Sequence, residues 1–568
     1  MKSLYCQHKV RRVTSLDGPW AFYFPRTGTE VSPRESLDRL DREQLHVPGV
    51  WEMLPGKANY RGEALAVKTV LIENPGPVRL YFSGVSHTAR VFWDGEEVGG
   101  HHNAYTAFAV NLPAVDRGRH ELRVHVSNAH GPGISALHIP NDYYNYGGLS
   151  RPVELHELAH PVFIENVKLT PGQQGDPREV HVEVTLRNTS PQPESGALLI
   201  ESRGKRLELP ADGIAGGSRK FATVLRLDDA DLWSPQHPAL HDVNVQLQIA
   251  GRTVDDLITR TGLRTVRVQG EQILVNDTPV ALRGFNRHED HPDYGCAIPV
   301  PLMMKDLELM RWMGANAVRT SHYPNDPRFL ELCDEQGFLV WEENHARGLK
   351  CDERMNPLFP EQCRECNREM VDQHHNHPSI IMWGILNECS SNSEKGREEY
   401  ARQLAQIREL DSSRPLTFAS HWAEKDLCMD LPDICSYNIY PNWYQKGDPA
   451  EFFRDFLEKI EPVGVAGKPL IISETGAGAI PGLHDPLRRA KWSEDRQCDL
   501  LEDLLEVFPS HPRVAGVFLW QFCDVRVDEG FMNGTQRPRT MNNKGIVDEY
   551  RRPKLAARTV RHHFRAKD

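Results

Sequence analysis

The sequence lacks several features that mark whole classes of protein. Its 568 residues contain no run that approaches the roughly 18 consecutive apolar residues of a membrane span. Acidic residues (79) outnumber basic ones (67), and the net charge of −12 argues against a nucleic-acid or anionic-membrane surface. Residues 1–9 are polar and lack the apolar stretch of a secretory signal. We therefore expect a cytoplasmic protein that binds neither nucleic acid nor membrane.

Cysteine is too irregular here to indicate a disulfide framework. The 11 cysteines are odd in number and unevenly spaced, as is typical of reduced thiols. Cys363 and Cys366, with Cys351 and two histidines nearby, imitate a zinc site. No second Cys-x-x-Cys follows, however, and on a helix two residues three apart share a face for ordinary packing. We expect no metal and no cofactor.

The first half of the chain has the pattern of β-structure. Its length allows about three or four domains. Residues 1–160 show short alternating runs such as 120–126, separated by Gly, Pro and Asn turns, which predicts a jelly roll or sandwich. Residues 161–265 repeat the pattern, with strict alternation over 180–186, and this length is typical of an immunoglobulin-like β-sandwich.

The second half, residues 266–568, alternates apolar runs with amphipathic segments. Helical periodicity occurs at 303–313, 397–410 and 492–507. Eight apolar runs surround these segments, at residues 280–285, 315–319, 338–341, 380–386, 416–419, 434–437, 469–473 and 514–520. Eight strands alternating with helices over about 300 residues predict a (β/α)₈ barrel, whose active site lies at the carboxyl ends of its strands.

Two of these apolar runs end on a glutamate. The fourth leads into Asn387 and Glu388, and the seventh into Ser473 and Glu474. A carboxylate at the exit of a buried strand stands on a rigid support and points into the cleft beyond it. Two such carboxylates across a barrel mouth are the machinery of glycoside hydrolysis.

Other strand ends carry the side chains that bind sugars. Aromatic rings stack on the apolar face of a sugar, and Asn or His side chains fix its hydroxyls. Residues 286–290 follow the first strand and 321–324 the second. Asn438, Tyr440 and Tyr444 follow the sixth strand, and Trp520 ends the eighth.

These motifs resemble those of glycoside hydrolase family 2. The resemblance includes residues 286–289, 319–324, 387–388 and 473–474, and also 17–20 and 232–235 outside the barrel. It implies a jelly-roll sugar-binding domain, an immunoglobulin-like domain and a catalytic barrel, in agreement with the patterns above.

Within the family the likeness is greatest to β-glucuronidases. Asn542-x-Lys544 matches the motif that grips the carboxylate of the sugar, and residues 142–146 resemble the loop that the jelly roll sends into the site. The arginine that usually precedes the motif is replaced by Pro538, between Arg537 and Arg539. We include Arg539 as a candidate and keep Arg537 as the alternative.

The resemblance implies a retaining, exo-acting hydrolase that removes a terminal β-linked uronic acid, with glucuronate favoured. Glu474 would be the nucleophile and Glu388 the acid and base, roughly 5–5.5 Å apart. The other candidate residues would bind the substrate, a small uronide: Asp142, His288, His322, Asn387, Tyr440, Tyr444, Trp520, Arg539, Asn542 and Lys544. Homo-oligomers occur among such relatives.

Two alternatives stay open at this point. The first is a β-galacturonidase or β-galactosidase of the same family, because the contacts to the 4-hydroxyl, with Asp142 among them, cannot be assigned to a gluco or galacto sugar. Thr475 and Ala477 after the nucleophile depart from the residues usual in glucuronidases and galactosidases respectively. The second is a non-catalytic carbohydrate-binding protein, against which the presence of both glutamates argues.

Overall fold

The protein is described here by a computed structural model that covers residues 6–26, 37–172, 175–349, 356–530 and 537–566. Its first part is built from two antiparallel sheets of four and six strands, with a further two-stranded pair. Strands β1–β12 are Arg12–Ser15, Gly18–Phe24, Asp41–Val47, Gly49–Val50, Glu63–Ile72, Gly76–Phe82, Thr88–Trp93, Glu96–His102, Phe108–Val115, Gly118–Ser127, Gly148–Leu149 and Val153–Glu157. One apolar core, which includes Trp20, Phe22 and Leu122, fills this part of the molecule.

A second pair of antiparallel sheets follows, with three and four strands. Strands β13–β19 are Val162–Pro171, Glu179–Asn188, Glu194–Ser202, Lys205–Ile214, Gly217–Arg226, His241–Ile249 and Arg252–Thr261. In β14 every second residue is buried, among them Val180, Val182 and Val184. This period of two is what directs alternate side chains into the core of a sandwich.

A three-stranded sheet then leads into a closed barrel of eight parallel strands. The sheet consists of β20–β22, at Val266–Gln269, Gln272–Val275 and Thr278–Val280. The barrel strands β23–β30 are Leu282–Asn286, Ala317–Thr320, Leu339–Glu343, Ile380–Ile385, Leu416–Ser420, Cys435–Asn438, Leu470–Thr475 and Val514–Leu519. The predicted multidomain fold, with β-structure before a (β/α)₈ barrel, is therefore confirmed.

Helices alternate with the barrel strands and begin at recognisable caps. Helices α1–α7 are Val300–Trp312, Pro327–Gln336, Phe359–His374, Glu394–Leu410, Pro449–Ile460, Glu494–Val507 and Ala556–Arg565. Asp326, Ser393, Asp448 and Ser493 each accept a backbone N–H at a helix start, which satisfies a donor that the helix itself leaves free. The short hairpin of β31 and β32, Val525–Arg526 and Met541–Asn542, follows the last barrel strand. No helix in the described ranges is long and apolar enough to cross a membrane.

One loop of the first β region reaches over to the barrel mouth. The Tyr146 hydroxyl donates to Asp290 at 2.9 Å, and the Arg151 guanidinium donates to Glu289 at 3.0 Å. The Tyr143 hydroxyl lies 3.2 Å from Nδ1 of His345. These buried polar contacts fix residues 142–147 against the carboxyl ends of the barrel strands.

Candidate active site

Glu388 stands just beyond the end of β26, at the mouth of the barrel. Its backbone has a positive φ of 51°, and its N–H donates to the Ala419 carbonyl at 2.9 Å, so the turn is tied to the next strand. The Asn438 amide donates to Glu388 Oε1 at 3.0 Å. Arg347 and His421 lie 3.7 Å and 4.0 Å from its carboxyl oxygens. With 21% of the side chain exposed, Glu388 can exchange protons with solvent.

Glu474 lies within β29 and is buried. The Tyr440 hydroxyl donates to Oε2 at 2.8 Å, and the Arg319 guanidinium donates to Oε1 at 3.0 Å. Charge-assisted bonds of this kind favour the ionised carboxylate and fix its orientation. Glu474 is therefore held as a nucleophile must be, rigid and stabilised in its charged form.

The two glutamates influence each other's ionisation. Burial and the neighbouring Glu388 raise the pKa of Glu474 to about 7, although Arg319, Arg347 and Tyr440 oppose the rise. Two interacting carboxyls share protons as a pair. Because Glu474 receives the guanidinium and phenol bonds, whereas Glu388 receives an amide bond, we place the shared proton on Glu388 when substrate is bound.

A charged network surrounds the nucleophile, and the sequence analysis did not place two of its members in the site. Arg319 donates two bonds to Glu343, at 2.8 Å and 3.0 Å, and one to Asn387 Oδ1 at 2.8 Å. Nδ1 of His322 lies 2.6 Å from Glu343 Oε1. Arg319 belonged to a recognised motif, but Glu343 reads as the end of an apolar strand with no signal of its own.

Several buried polar atoms in this region face one another without a hydrogen-bond partner among the described residues. They include Asn387 Nδ2, His288 Nε2 and His322 Nε2. Burial lowers the pKa of His288 to about 3, so its ring is neutral at working pH. Buried polar groups are almost always satisfied in a working protein. These atoms are therefore available to a ligand rich in hydroxyl groups.

Trp520 supplies an aromatic wall to the same space. Its ring stacks on His322 with centroids 5.1 Å apart and meets His288 edge-on at 5.5 Å. Tyr440 and Tyr444 lie across from each other at 5.2 Å. The predicted residues from strands one, two, four, six, seven and eight are thus brought together.

One end of the site is cationic. Lys544 is 2% exposed, and its ammonium lies 5.1 Å from the centre of the Tyr444 ring, which is itself 50% exposed. Although burial raises the pKa of Tyr444, the charges of Lys544 and Arg537 outweigh it and hold the pKa below its usual value. No carboxylate forms a salt bridge with Lys544 within the described ranges. Asn542 beside it has no partner there for either amide atom.

Arg539 does not lie where we expected it. It has φ of 64°, its side chain is 46% exposed, and it donates to Glu549 at 2.6 Å. Arg537 instead enters the site and forms two bonds of 2.5 Å with the buried carboxylate of Asp142. Burial raises the pKa of Asp142, but these bonds lower it below its ordinary value. The left-handed turn at Arg539, which carries its side chain outward, could not be foreseen from the sequence.

Two groups of side chains have the donor types of a metal site, but neither contains a catalytic carboxylate. His87, His102 and His138 have ligand atoms within 4.8 Å of one another, as have His8, Asp255 and Asp256. His87 stacks on His138 with 17° between the ring planes, so the lone pairs of these two rings lie in nearly parallel planes and do not converge. The buried oxygens of Asp255 and Asp256 accept bonds from residues 9–11 and 164. Cys363 and Cys366 are buried on α3, and Cys351 lies outside the described residues. We assign no metal here.

Comparison with known proteins agrees with this geometry. The sequence profile described as "Glycosyl hydrolases family 2, TIM barrel domain" matches residues 266–567, and the profile "Glycosyl hydrolases family 2" matches residues 162–264. Among curated proteins, a β-glucuronidase of Paenibacillus borealis is 29% identical over 85% of this chain and 84% of its own length. The β-glucuronidase of Canis lupus familiaris is 32% identical over 74% of this chain and 64% of its own length. The chain thus spans just under two thirds of that mammalian relative.

A solved structure resembles the whole chain. It is a β-galacturonidase from Eisenbergiella tayi bound to galacturonate, 43% identical, with a TM-score of 0.93. The alignment covers 98% of each chain.

Proposed function

This chain belongs to glycosyl hydrolase family 2, and we propose that it removes a terminal β-linked uronic acid from a glycoside with retention of configuration. The observation that carries this proposal is the buried Lys544, which has no acidic partner in the described residues and shares a pocket with two facing glutamates. A buried, unpaired ammonium is costly unless a ligand supplies the opposite charge. The carboxylate of a uronic acid does so, and a neutral sugar does not.

The first chemical step forms a glycosyl-enzyme ester. Glu474 attacks the anomeric carbon while Glu388 donates its proton to the departing oxygen. Tyr440 and Arg319 hold the attacking carboxylate in place. We expect the two carboxyl groups to be roughly 5–5.5 Å apart, as in retaining enzymes generally.

The second step hydrolyses that ester. Once Glu474 is esterified its negative charge is gone, so the pKa of the partner carboxyl falls and Glu388 becomes a base. It then takes a proton from water as the water attacks the anomeric carbon. The exposed position of Glu388 gives that water a path to the site.

The remaining contacts of the sugar follow from the unpartnered donors. Asn387 Nδ2 is positioned to hold the 2-hydroxyl, since Arg319 and Asn438 already occupy its carbonyl oxygen. Hydrogen bonds to this hydroxyl strengthen in the transition state. Asn542 and Lys544 would bind the sugar carboxylate, in a charge-assisted contact.

Two sugars are candidates. Galacturonate is favoured by the 43% identity and 98% coverage of the Eisenbergiella tayi galacturonidase. Glucuronate is favoured by the motif resemblance and by the curated relatives, which are β-glucuronidases at 29–32% identity. The two sugars differ in configuration at C4 alone, so we propose galacturonate as the first candidate and glucuronate as the second.

A substrate panel tests both levels of the proposal. The p-nitrophenyl β-D-galacturonide, β-D-glucuronide and β-D-galactoside are assayed with the wild type and with Glu474→Gln. We expect turnover of one or both uronides, slow or no turnover of the galactoside, and none by Glu474→Gln. Faster turnover of the galactoside than of either uronide would overturn the uronidase proposal, and the ratio of the two uronides decides the sugar.

Location and assembly are proposed more coarsely. The cysteines within the described residues are all free of disulfides, which supports a reducing compartment such as the cytoplasm. A homo-oligomer stays a prediction from the family resemblance.

A further inference from the structure

The leaving group of the substrate must lie on the exposed side of Glu388. The proton that Glu388 donates goes to the glycosidic oxygen, so the group attached to that oxygen sits beside this carboxyl. The sugar itself occupies the buried side, toward Glu474 and Asn387. On the outer side, Nδ1 of His421 lies 4.0 Å from Glu388 Oε1, and 38% of the His421 side chain is exposed.

His421 is half of a rigid aromatic pair. Its ring lies 4.5 Å from that of Trp422, with 33° between the planes. The Trp422 indole N–H donates to the Cys389 carbonyl at 2.8 Å, next to the catalytic turn. The pair is therefore fixed to the same backbone segment that carries Glu388.

The loop beneath this pair is also held in one conformation. Buried Asp426 accepts hydroxyl bonds of 2.5 Å from both Ser391 and Ser420, and the Cys428 N–H at 2.7 Å. Ser391 follows β26 and Ser420 ends β27. The network thus joins the exits of two neighbouring barrel strands and keeps the two rings from moving relative to Glu388.

We infer that His421 and Trp422 form the seat of the leaving group, and that this seat takes a planar aromatic aglycone. The inference rests on the proposed function, since it concerns the group that the uronic acid is attached to. A pre-positioned aromatic surface offers large contact area at low entropic cost, and stacked rings gain stability beyond simple burial. The same surface receives any acceptor that attacks the glycosyl-enzyme.

Acceptor partitioning measures this seat without any effect of leaving-group chemistry. When an alcohol replaces water in the second step, the bond between C1 and the Glu474 oxygen breaks and a bond from C1 to the alcohol oxygen forms. The proton of the alcohol goes to Glu388. The ratio of transfer product to free uronic acid, measured by chromatography, then reports how well the alcohol occupies the seat.

Benzyl alcohol and cyclohexylmethanol form a matched pair of acceptors, since they differ chiefly in the aromaticity of the ring. We expect the wild type to transfer to benzyl alcohol roughly two- to tenfold more often, the range that ring stacking provides. His421→Ala should abolish this preference, and His421→Phe should keep it. His484→Ala is the control, because His484 is a comparably exposed histidine, 52% exposed, on the separate loop that follows β29.

The outcomes separate the inference from the function it rests on. Hydrolysis of a uronide with equal transfer to both alcohols, with transfer to neither, or with a preference that survives in His421→Ala would overturn the aromatic seat and leave the uronidase intact. Absence of uronide hydrolysis by the wild type would instead remove the proposed function, and the inference with it.

Discussion

At the scale of single residues, the ammonium of Lys544 is the most informative group in the molecule. An unpaired buried cation destabilises a fold, so such a residue is maintained only where a ligand completes it. Its identity and role were predicted from the Asn542-x-Lys544 motif. Its burial and the lack of an acidic neighbour within the described residues are facts of the fold that no motif contains.

Replacing this lysine should separate function from stability. For Lys544→Met we expect kcat/KM on the preferred uronide to fall by about 30-fold or more, the cost of losing one partner of a buried charge pair at about 2 kcal/mol or above. The melting temperature without substrate should rise, because an uncompensated charge is removed from the interior. Steady-state kinetics and thermal unfolding measure the two effects.

Lys491→Met is the matched control. That lysine is exposed and lies 4.3 Å from the centre of the Trp443 ring, beside the site but outside its buried end. We expect little change in either measurement. Unchanged uronide turnover by Lys544→Met would contradict the role given to Lys544.

Tyr440 offers a test through pH. Its hydroxyl donates to the ionised form of Glu474, and burial with Glu388 raises the pKa of that glutamate to about 7. Because the nucleophile must be ionised, kcat/KM falls as pH drops through this pKa. Tyr440→Phe removes a bond that stabilises the charged form, so the midpoint of this acid limb should move to higher pH.

The control substitution is Tyr437→Phe on the same strand. The Tyr437 hydroxyl is buried and has no hydrogen-bond partner in the described part of the chain. Profiles of kcat/KM between about pH 5 and pH 9 are compared for the wild type and both variants. A shift of Tyr440→Phe to lower pH, or the same shift in Tyr437→Phe, would refute the assigned bond.

At the scale of elements, strand ends place the chemistry, and the sequence was sufficient to find them. The eight apolar runs correspond to β23–β30, and both glutamates lie at the carboxyl ends of β26 and β29, as predicted. Strands buried on both faces are readable because nothing interrupts their apolar sequence. The Arg537 exchange was not readable, since it depends on one turn after β31.

The strand that carries Glu388 has no room for another atom at Gly384. A Cβ there would meet the Trp341 indole nitrogen at 2.2 Å and the Glu343 side chain at 2.9 Å. We expect Gly384→Ala to lower the free energy of unfolding by about 1–3 kcal/mol through overpacking. Activity should fall as well, because Glu343 holds Arg319 and His322.

Gly216→Ala provides the comparison for chemical denaturation. Its nearest contact would be a backbone oxygen at 3.2 Å on a turn of the second β region. We expect a change of less than about 0.5 kcal/mol, as for surface substitutions generally. Equal stability of the two variants would show that the barrel wall at Gly384 is looser than described.

At the scale of the whole molecule, the first β region completes an active site that the barrel alone leaves open. Tyr144 lies between two guanidinium groups, with Arg61 at 4.2 Å and Arg526 at 3.9 Å from its ring centre. Arg61 also forms a 2.6 Å ion pair with Asp528. This contact holds the loop of Asp142 against the hairpin that leads to Arg537 and Lys544. The domain bounds of 1–160, 161–265 and 266–568 stay a prediction.

Loosening this contact should act on substrate binding. Each cation–ring contact is worth about 0.5–2 kcal/mol. For Tyr144→Leu we expect KM for the uronide to rise several-fold, with a smaller change in kcat, because the carboxylate site is misplaced while the glutamates are not. Tyr144→Phe keeps the ring and should restore wild-type KM. A loss confined to kcat in Tyr144→Leu, or the same KM in both variants, would count against this role.

Trapping the covalent intermediate examines the assignment of the two acidic groups most directly. A 2-deoxy-2-fluoro uronosyl fluoride of the preferred sugar is incubated with the wild type, Glu388→Gln and Glu474→Gln, and the labelled peptide is identified by mass spectrometry. We predict a single adduct on Glu474 in the first two proteins and none in the third. An adduct on any other side chain, or labelling of Glu474→Gln, would contradict the assignment.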